Sequence, residues 1–123
     1  MTREYQQLPG LEAIVLEESY VLDIEAHPTT IEFAMDFVLT AEHRDYRPPL
    51  AGAMYCTRRG VLTFSGVTRC LWSDQGAPPA RDATGEVDFG HIDSLLHDPA
   101  GYALEGDWGR MEVRAERVAI RLT

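Results

Sequence analysis

The stretch Ile31-Glu32-Phe33-Ala34-Met35-Asp36-Phe37-Val38-Leu39 alternates large apolar residues with small or acidic ones. A period of two belongs to a β-strand with one buried and one solvated face. Upstream, Tyr20-Val21-Leu22-Asp23-Ile24-Glu25 alternates in the same way, and Ala26-His27-Pro28-Thr29-Thr30 between the two has turn composition. The pair therefore reads as an antiparallel hairpin. A slip of one residue would turn every side chain to the other face, so one register buries the apolar set, and it places Leu22, Ile24, Ile31, Phe33, Met35, Phe37 and Leu39 against a core.

The rest of the chain punctuates in the same style. Leu11 to Glu17 fits either a short strand or one helical turn. Arg44-Asp45-Tyr46-Arg47-Pro48-Pro49 reads as a loop, because two prolines remove two donors from any ladder. Ala53–Arg58 and Val61–Gly66 flank Arg59-Gly60, which reads as a two-residue hairpin connection, with a bulge at Gly66. The polar run from Trp72 to Gly85 reads as a mobile loop. Asp98-Pro99-Ala100-Gly101 carries type I turn residues, Gly106-Asp107-Trp108-Gly109 turns again with Glu105 and Arg110 at its foot, and the apolar phase changes at Glu116-Arg117. Eight or nine short strands with such turns predict a mainly β fold, an antiparallel sandwich or partly closed barrel with at most one short helix, in one domain over residues 1–123.

Charge narrows the partners. The 123 residues carry a formal net charge of −9, and residues 1–43 hold nine carboxylates against Arg3 alone. A field of that sign repels nucleic acid and anionic membrane and attracts a basic protein. All eleven basic residues are arginine. The first residues lack the basic-then-apolar pattern of a secretory signal, so a cytoplasmic location is expected. In a reducing compartment Cys56 and Cys70 read as two free thiols.

Familiar catalytic signatures are missing: the chain has no P-loop, no G-x-G-x-x-G, no G-x-S-x-G, no H-E-x-x-H and no C-x-x-C. The densest polar constellation is Asp82 to Asp93, with Glu86, Asp88 and His91 between. It imitates an EF-hand loop on paper, but Val87 stands where that loop needs glycine. Read as a strand, Glu86 and Asp88 share a solvated face. His91 and Asp93 also share a face and have the chemistry of an acid/base pair, although no nucleophile or metal set accompanies them. No cofactor, metal or catalytic residue is assigned from sequence. Trp108 and Tyr102 read as core plugs.

Leu8-Pro9-Gly10-Leu11-Glu12, His43 with Tyr46 and Pro48-Pro49, Tyr55-Cys56 followed by Arg58 and Gly60, Asp82 through Asp93, and Gly106-Asp107-Trp108-Gly109 together resemble a family of small bacterial proteins. The resemblance implies a shared fold and no particular activity. A looser similarity, of charge and size alone, is to acidic β-rich toxin-immunity proteins. The expected function is a non-enzymatic binding module that presents Asp23, Glu25 and Glu32, and in addition Asp82, Glu86, Asp88, His91 and Asp93, to a basic protein partner. The alternatives are a small hydrolase or metal-assisted enzyme centred on Asp82–Asp93, and a β-barrel binder of a small apolar ligand.

Overall fold

Alternating side chains need two faces to separate, and the computed structural model supplies them as two antiparallel sheets around one core. It describes residues 2–49, 51–74, 80–81 and 87–123. In chain order the strands are β1 (Arg3–Glu4), β2 (Ile14–Ala26), β3 (Thr30–Leu39), β4 (Cys56–Ser65), β5 (Arg69–Ser73), β6 (Ala80–Arg81), β7 (Val87–Asp88), β8 (Ile92–Asp98), β9 (Gly101–Gly106), β10 (Gly109–Arg114) and β11 (Arg117–Leu122). Among the described residues a single 3-10 turn spans Tyr5–Gln7. One sheet has the order β1-β8-β9-β10-β5, the other β11-β4-β3-β2, while β6 and β7 pair only with each other. The nine strands of the two sheets form a sandwich rather than a closed barrel.

The two sheets are joined at their corners. Ser65 accepts from the Glu116 N–H at 2.9 Å and Thr68 donates to the Arg114 carbonyl at 2.8 Å, so the β4–β5 and β10–β11 segments cross between sheets together. Gly66 sits at that bend with φ +66, and a Cβ there would lie 2.6 Å from the Glu116 side chain. The expected bulge is thus a change of sheet, and Val67 turns into the core beyond it. On the opposite side Val21 exchanges both backbone bonds with Phe89 and Gly90, each at 2.8 Å, tying β2 to the approach of β8.

Phe33, Phe37 and Phe64 fill the centre with Leu62, Leu104 and Met111, all fully buried. Edge-to-face contacts at 5.2 Å for Phe33–Trp108 and 5.1 Å for Phe64–Tyr102 link the two sheets. Ile31, Phe33, Met35, Phe37 and Leu39 are buried as the alternation requires. Ile24 packs against the core from a half-buried position. Leu22 departs from its expected place. Val21 pairs with Met35 and Asp23 with Ala34, which leaves Leu22 as the extra residue of a bulge, and Val21 is the buried side chain there.

Arg59-Gly60 is not a turn. Both residues lie inside β4, which runs unbroken between β3 and β11 with Gly60 paired to Met35 and to Leu122. A Cβ on Gly60 would stand 2.5 Å from the Arg121 carbonyl oxygen, so this glycine lets an edge strand lie close. Cys56 consequently pairs with Leu39 in one sheet and Cys70 with Val113 in the other, and both thiols are free. The two free thiols expected from sequence are thus found on different sheets.

Elsewhere the turn chemistry holds. Asp98 and Gly101 close the β8–β9 hairpin, with the Asp98 carboxylate accepting from the Ala100 N–H at 2.8 Å. Gly106 and Gly109 close the β9–β10 hairpin, and Arg110 meets Glu105 at 2.7 Å. Of the segment Leu11 to Glu17, residues 11–13 precede the strand, with the Ile14 N–H on the Leu11 carbonyl at 3.4 Å, and the part from Ile14 onward is strand. The polar loop expected over Trp72–Gly85 falls largely outside the described residues, as do Asp82 and Glu86. No helix among the described residues is long and apolar enough to cross a membrane.

Candidate functional site

The outer face of the four-stranded sheet collects Asp23, Glu25, Glu32 and Asp36 of the acidic first third of the chain. Antiparallel register sets Glu25 directly opposite Glu32, and Asp23 beside Ala34 one step along. Three of the residues expected from sequence, Asp23, Glu25 and Glu32, therefore share one face. Like charges in direct opposition destabilise a ladder. His27, anchored in the turn by its N–H on the Thr30 carbonyl at 2.8 Å, holds its Nε2 3.6 Å from Glu25 and 3.9 Å from Glu32. Across the same sheet the sign changes: Arg59 of β4 lies 3.8 Å from Asp36, and Arg117 and Arg121 stand on β11. Glu25, His27 and Glu32 are the one cluster of metal-ligand type among the described residues, and they are exposed or half-exposed, as a solvated acidic surface is.

Further along β2 the ladder breaks. Val15 pairs with Val38 and Tyr20 with Asp36, so Leu16–Ser19 stand against Phe37 alone. This protrusion is fastened by side chains. Ser19 is completely buried; its hydroxyl donates to the Val15 carbonyl at 2.6 Å and accepts from the Val38 N–H at 2.9 Å. Tyr5, buried from the 3-10 turn, accepts from the Leu16 N–H at 3.1 Å and donates to the Glu17 carboxylate. Burial, followed by that carboxylate, pushes the Tyr5 phenol well above its ordinary pKa. Leu16 is driven into the core, while Glu17, Glu18 and Tyr20 are pushed out. Bulges that re-aim side chains in this way concentrate beside functional sites.

His91 completes the fastening. Its Nδ1 lies 2.7 Å from the Ser19 carbonyl, which can only accept, so Nδ1 carries a proton. Its ring leans on Tyr20 at 4.6 Å, and its own carbonyl accepts from the Trp108 Nε1–H at 3.1 Å. His91 is thus a clip between β2 and the approach to β8. Asp93 is exposed on β8, and among the described residues no hydrogen bond joins it to His91. Asp88 belongs to β7, where its backbone pairs with Ala80. Asp82 and Glu86 lie outside the described residues. Of the two members of the Asp82–Asp93 constellation whose side chains are described, His91 and Asp93, His91 meets the protruding face.

Beside the protrusion stands Tyr55, from the segment before β4. Its hydroxyl donates to the Glu18 carboxylate at 3.2 Å, and that carboxylate raises the phenol's pKa, with the Tyr20 phenol adding to the effect. Tyr20 is 46% exposed, Tyr55 41% and Met54 82%. The residues that sequence reading missed are therefore Glu17, Glu18, Ser19, Tyr20 and Tyr55. A signal existed for the first four, since Glu17-Glu18-Ser19 interrupts the alternation between Leu16 and Val21. Tyr55 has no local signal.

A groove of about 850 Å³ lies on the outside among Glu12, His43, Arg44, Arg58 and Arg121, which bring mixed charge to it. Between the sheets the volume is filled by the aromatic core. Comparison with protein-family models, curated proteins and solved structures finds no match, so the site is read from its geometry.

Proposed function

We propose that the protein is a non-enzymatic binding module whose acidic β2–β3 face docks a basic protein partner, in the manner of a toxin-immunity protein acting in the cytoplasm. The observation that carries this reading is the direct opposition of Glu25 and Glu32, with Asp23 on the same face. Such a register costs stability, about 0.2–1 kcal/mol for a cross-strand pair. A chain that tolerates the cost gains a focused negative field, which accelerates encounter with a cation-rich surface. The same field disfavours nucleic acid and anionic lipid. Resemblance to a family of small bacterial proteins is compatible with this role.

The test is a titration with a ten-residue oligolysine peptide, followed by amide NMR shifts. The expected shifts centre on β2 and β3, shrink between about 20 and 300 mM salt as screening shortens the field, and are lost on charge reversal at Asp23, Glu25 and Glu32 together. Shifts centred on the five-stranded sheet, or an affinity indifferent to salt, would overturn the proposal.

A further inference from the structure

We infer that Tyr20 and Tyr55, with the Glu18 carboxylate that holds Tyr55, form a seat for an arginine side chain of the basic partner. This rests on reading the acidic face as a protein-binding surface, and it names the residues that give that surface specificity beyond charge.

Three observations converge on the seat. First, Tyr20, Tyr55 and Met54 are three of the five large apolar side chains exposed among the described residues, and Tyr55 is bonded to Glu18, two residues before Tyr20 in the same protrusion, with its phenol near enough to feel that of Tyr20. Tyrosine and methionine are enriched at interface cores, and a rigid aromatic anchor loses little entropy on binding. Second, both rings are already fixed before any partner arrives. Tyr20 leans on His91 at 4.6 Å, and His91 is itself pinned to the Ser19 carbonyl; Tyr55 is pinned by its hydroxyl to Glu18 at 3.2 Å. Buried bonds of Ser19 and Tyr5 hold the protruding backbone beneath them. Preorganisation of this kind reduces the entropic cost of association.

Third, the chemistry of the rim selects the occupant. Glu18 is bonded to Tyr55, Asp36 lies across the ladder from Tyr20 with Arg59 already 3.8 Å from it, and residues 1–43 are strongly acidic as a whole. A neutral apolar partner would leave those carboxylates desolvated beside it. A guanidinium satisfies both components, because its plane stacks on an aromatic face while its N–H fork engages a carboxylate. An ammonium offers only point charge and is more strongly hydrated. The seat therefore favours arginine over lysine, which the general acidic field does not.

The experiment compares ten-residue oligoarginine and oligolysine peptides on the intact protein by NMR titration. The arginine peptide is expected to bind about three- to tenfold more tightly, the range of one or two exposed cation–π contacts. Tyr20→Leu and Tyr55→Leu should each bring the two affinities together while leaving the oligolysine affinity within about twofold. Both side chains are a little under half exposed, so two independent substitutions guard against a local folding defect in either. Equal binding of both peptides to the unaltered protein, or an arginine preference that survives both substitutions, would overturn the seat and leave the acidic docking face standing. Failure of both peptides to bind would remove the face and the seat together. Dimerisation of the free protein that Tyr20→Leu abolishes would overturn the seat by giving the rings to a second copy.

Discussion

The two ends of β2 face the same solvent and hold their charges by opposite means. At the hairpin end, Asp23 and Glu25 follow the regular ladder, and among the described residues only the exposed His27 ring stands over the opposed Glu25 and Glu32. At the other end, the ladder is interrupted for four residues, and Glu17, Glu18 and Tyr20 are held out by a set of buried hydrogen bonds through Ser19, Tyr5 and His91. Exposed ion pairs contribute little in water, whereas a buried donor left without its partner costs the full desolvation penalty. The hairpin end therefore supplies field and the bulged end supplies shape.

Both ends rest on one core, and the largest expected effect comes from removing it. Phe33 is fully buried opposite Ile24 and meets Phe64 and Trp108 edge to face. Phe33→Ala should destabilise by about 3–5 kcal/mol in urea unfolding. A loss under about 1 kcal/mol would mean that the strand's inward face is misassigned and that neither end is placed as described.

The bulged end separates from the hairpin end at the next level. Ser19→Ala leaves the buried Val38 N–H unpaired and should cost about 1–3 kcal/mol, a loss that salt does not alter. Tyr5→Phe strips the Leu16 N–H in the same way and adds a pH signature. Folding raises the Tyr5 pKa, so the unfolded chain releases that proton first as pH rises. Stability from this group is complete below the unfolded value of about 10 and is lost progressively above it. Unfolding midpoints measured from about pH 8 to 11 should fall more steeply for the parent than for Tyr5→Phe, with burial of Tyr102 leaving the variant some residual slope. Identical slopes would place Tyr5 in solvent.

How much of this is legible in the sequence follows the same division. The hairpin end is written in a period of two, so Asp23, Glu25 and Glu32 could be set on one face from residue types alone. Turn residues likewise announce Asp98–Gly101 and Gly106–Gly109. Gly60 misleads because a glycine that admits a neighbouring strand looks the same in sequence as one that makes a turn. The Tyr20–Tyr55 seat depends on partners 35 positions apart, and the His91 clip on partners 72 apart. Nothing local encodes such pairings; they exist only once the two sheets have closed on each other.

The smallest expected effect sharpens the comparison most. Glu32→Gln removes one of two directly opposed carboxylates and with it the contact to His27 at 3.9 Å. Relief of repulsion and loss of attraction nearly cancel at an exposed site, so the net change should stay within about 0.5 kcal/mol. Whatever remains is electrostatic through solvent, and raising salt from about 20 mM to 0.5 M should erase it as the screening length contracts. Ser19→Ala, measured in the same series, should keep its full cost at both salts because its lost bond is buried. A Glu32→Gln effect above about 1 kcal/mol that persists in high salt would show the hairpin end to be fastened like the bulged one, and the distinction between a field and a shaped seat would fall.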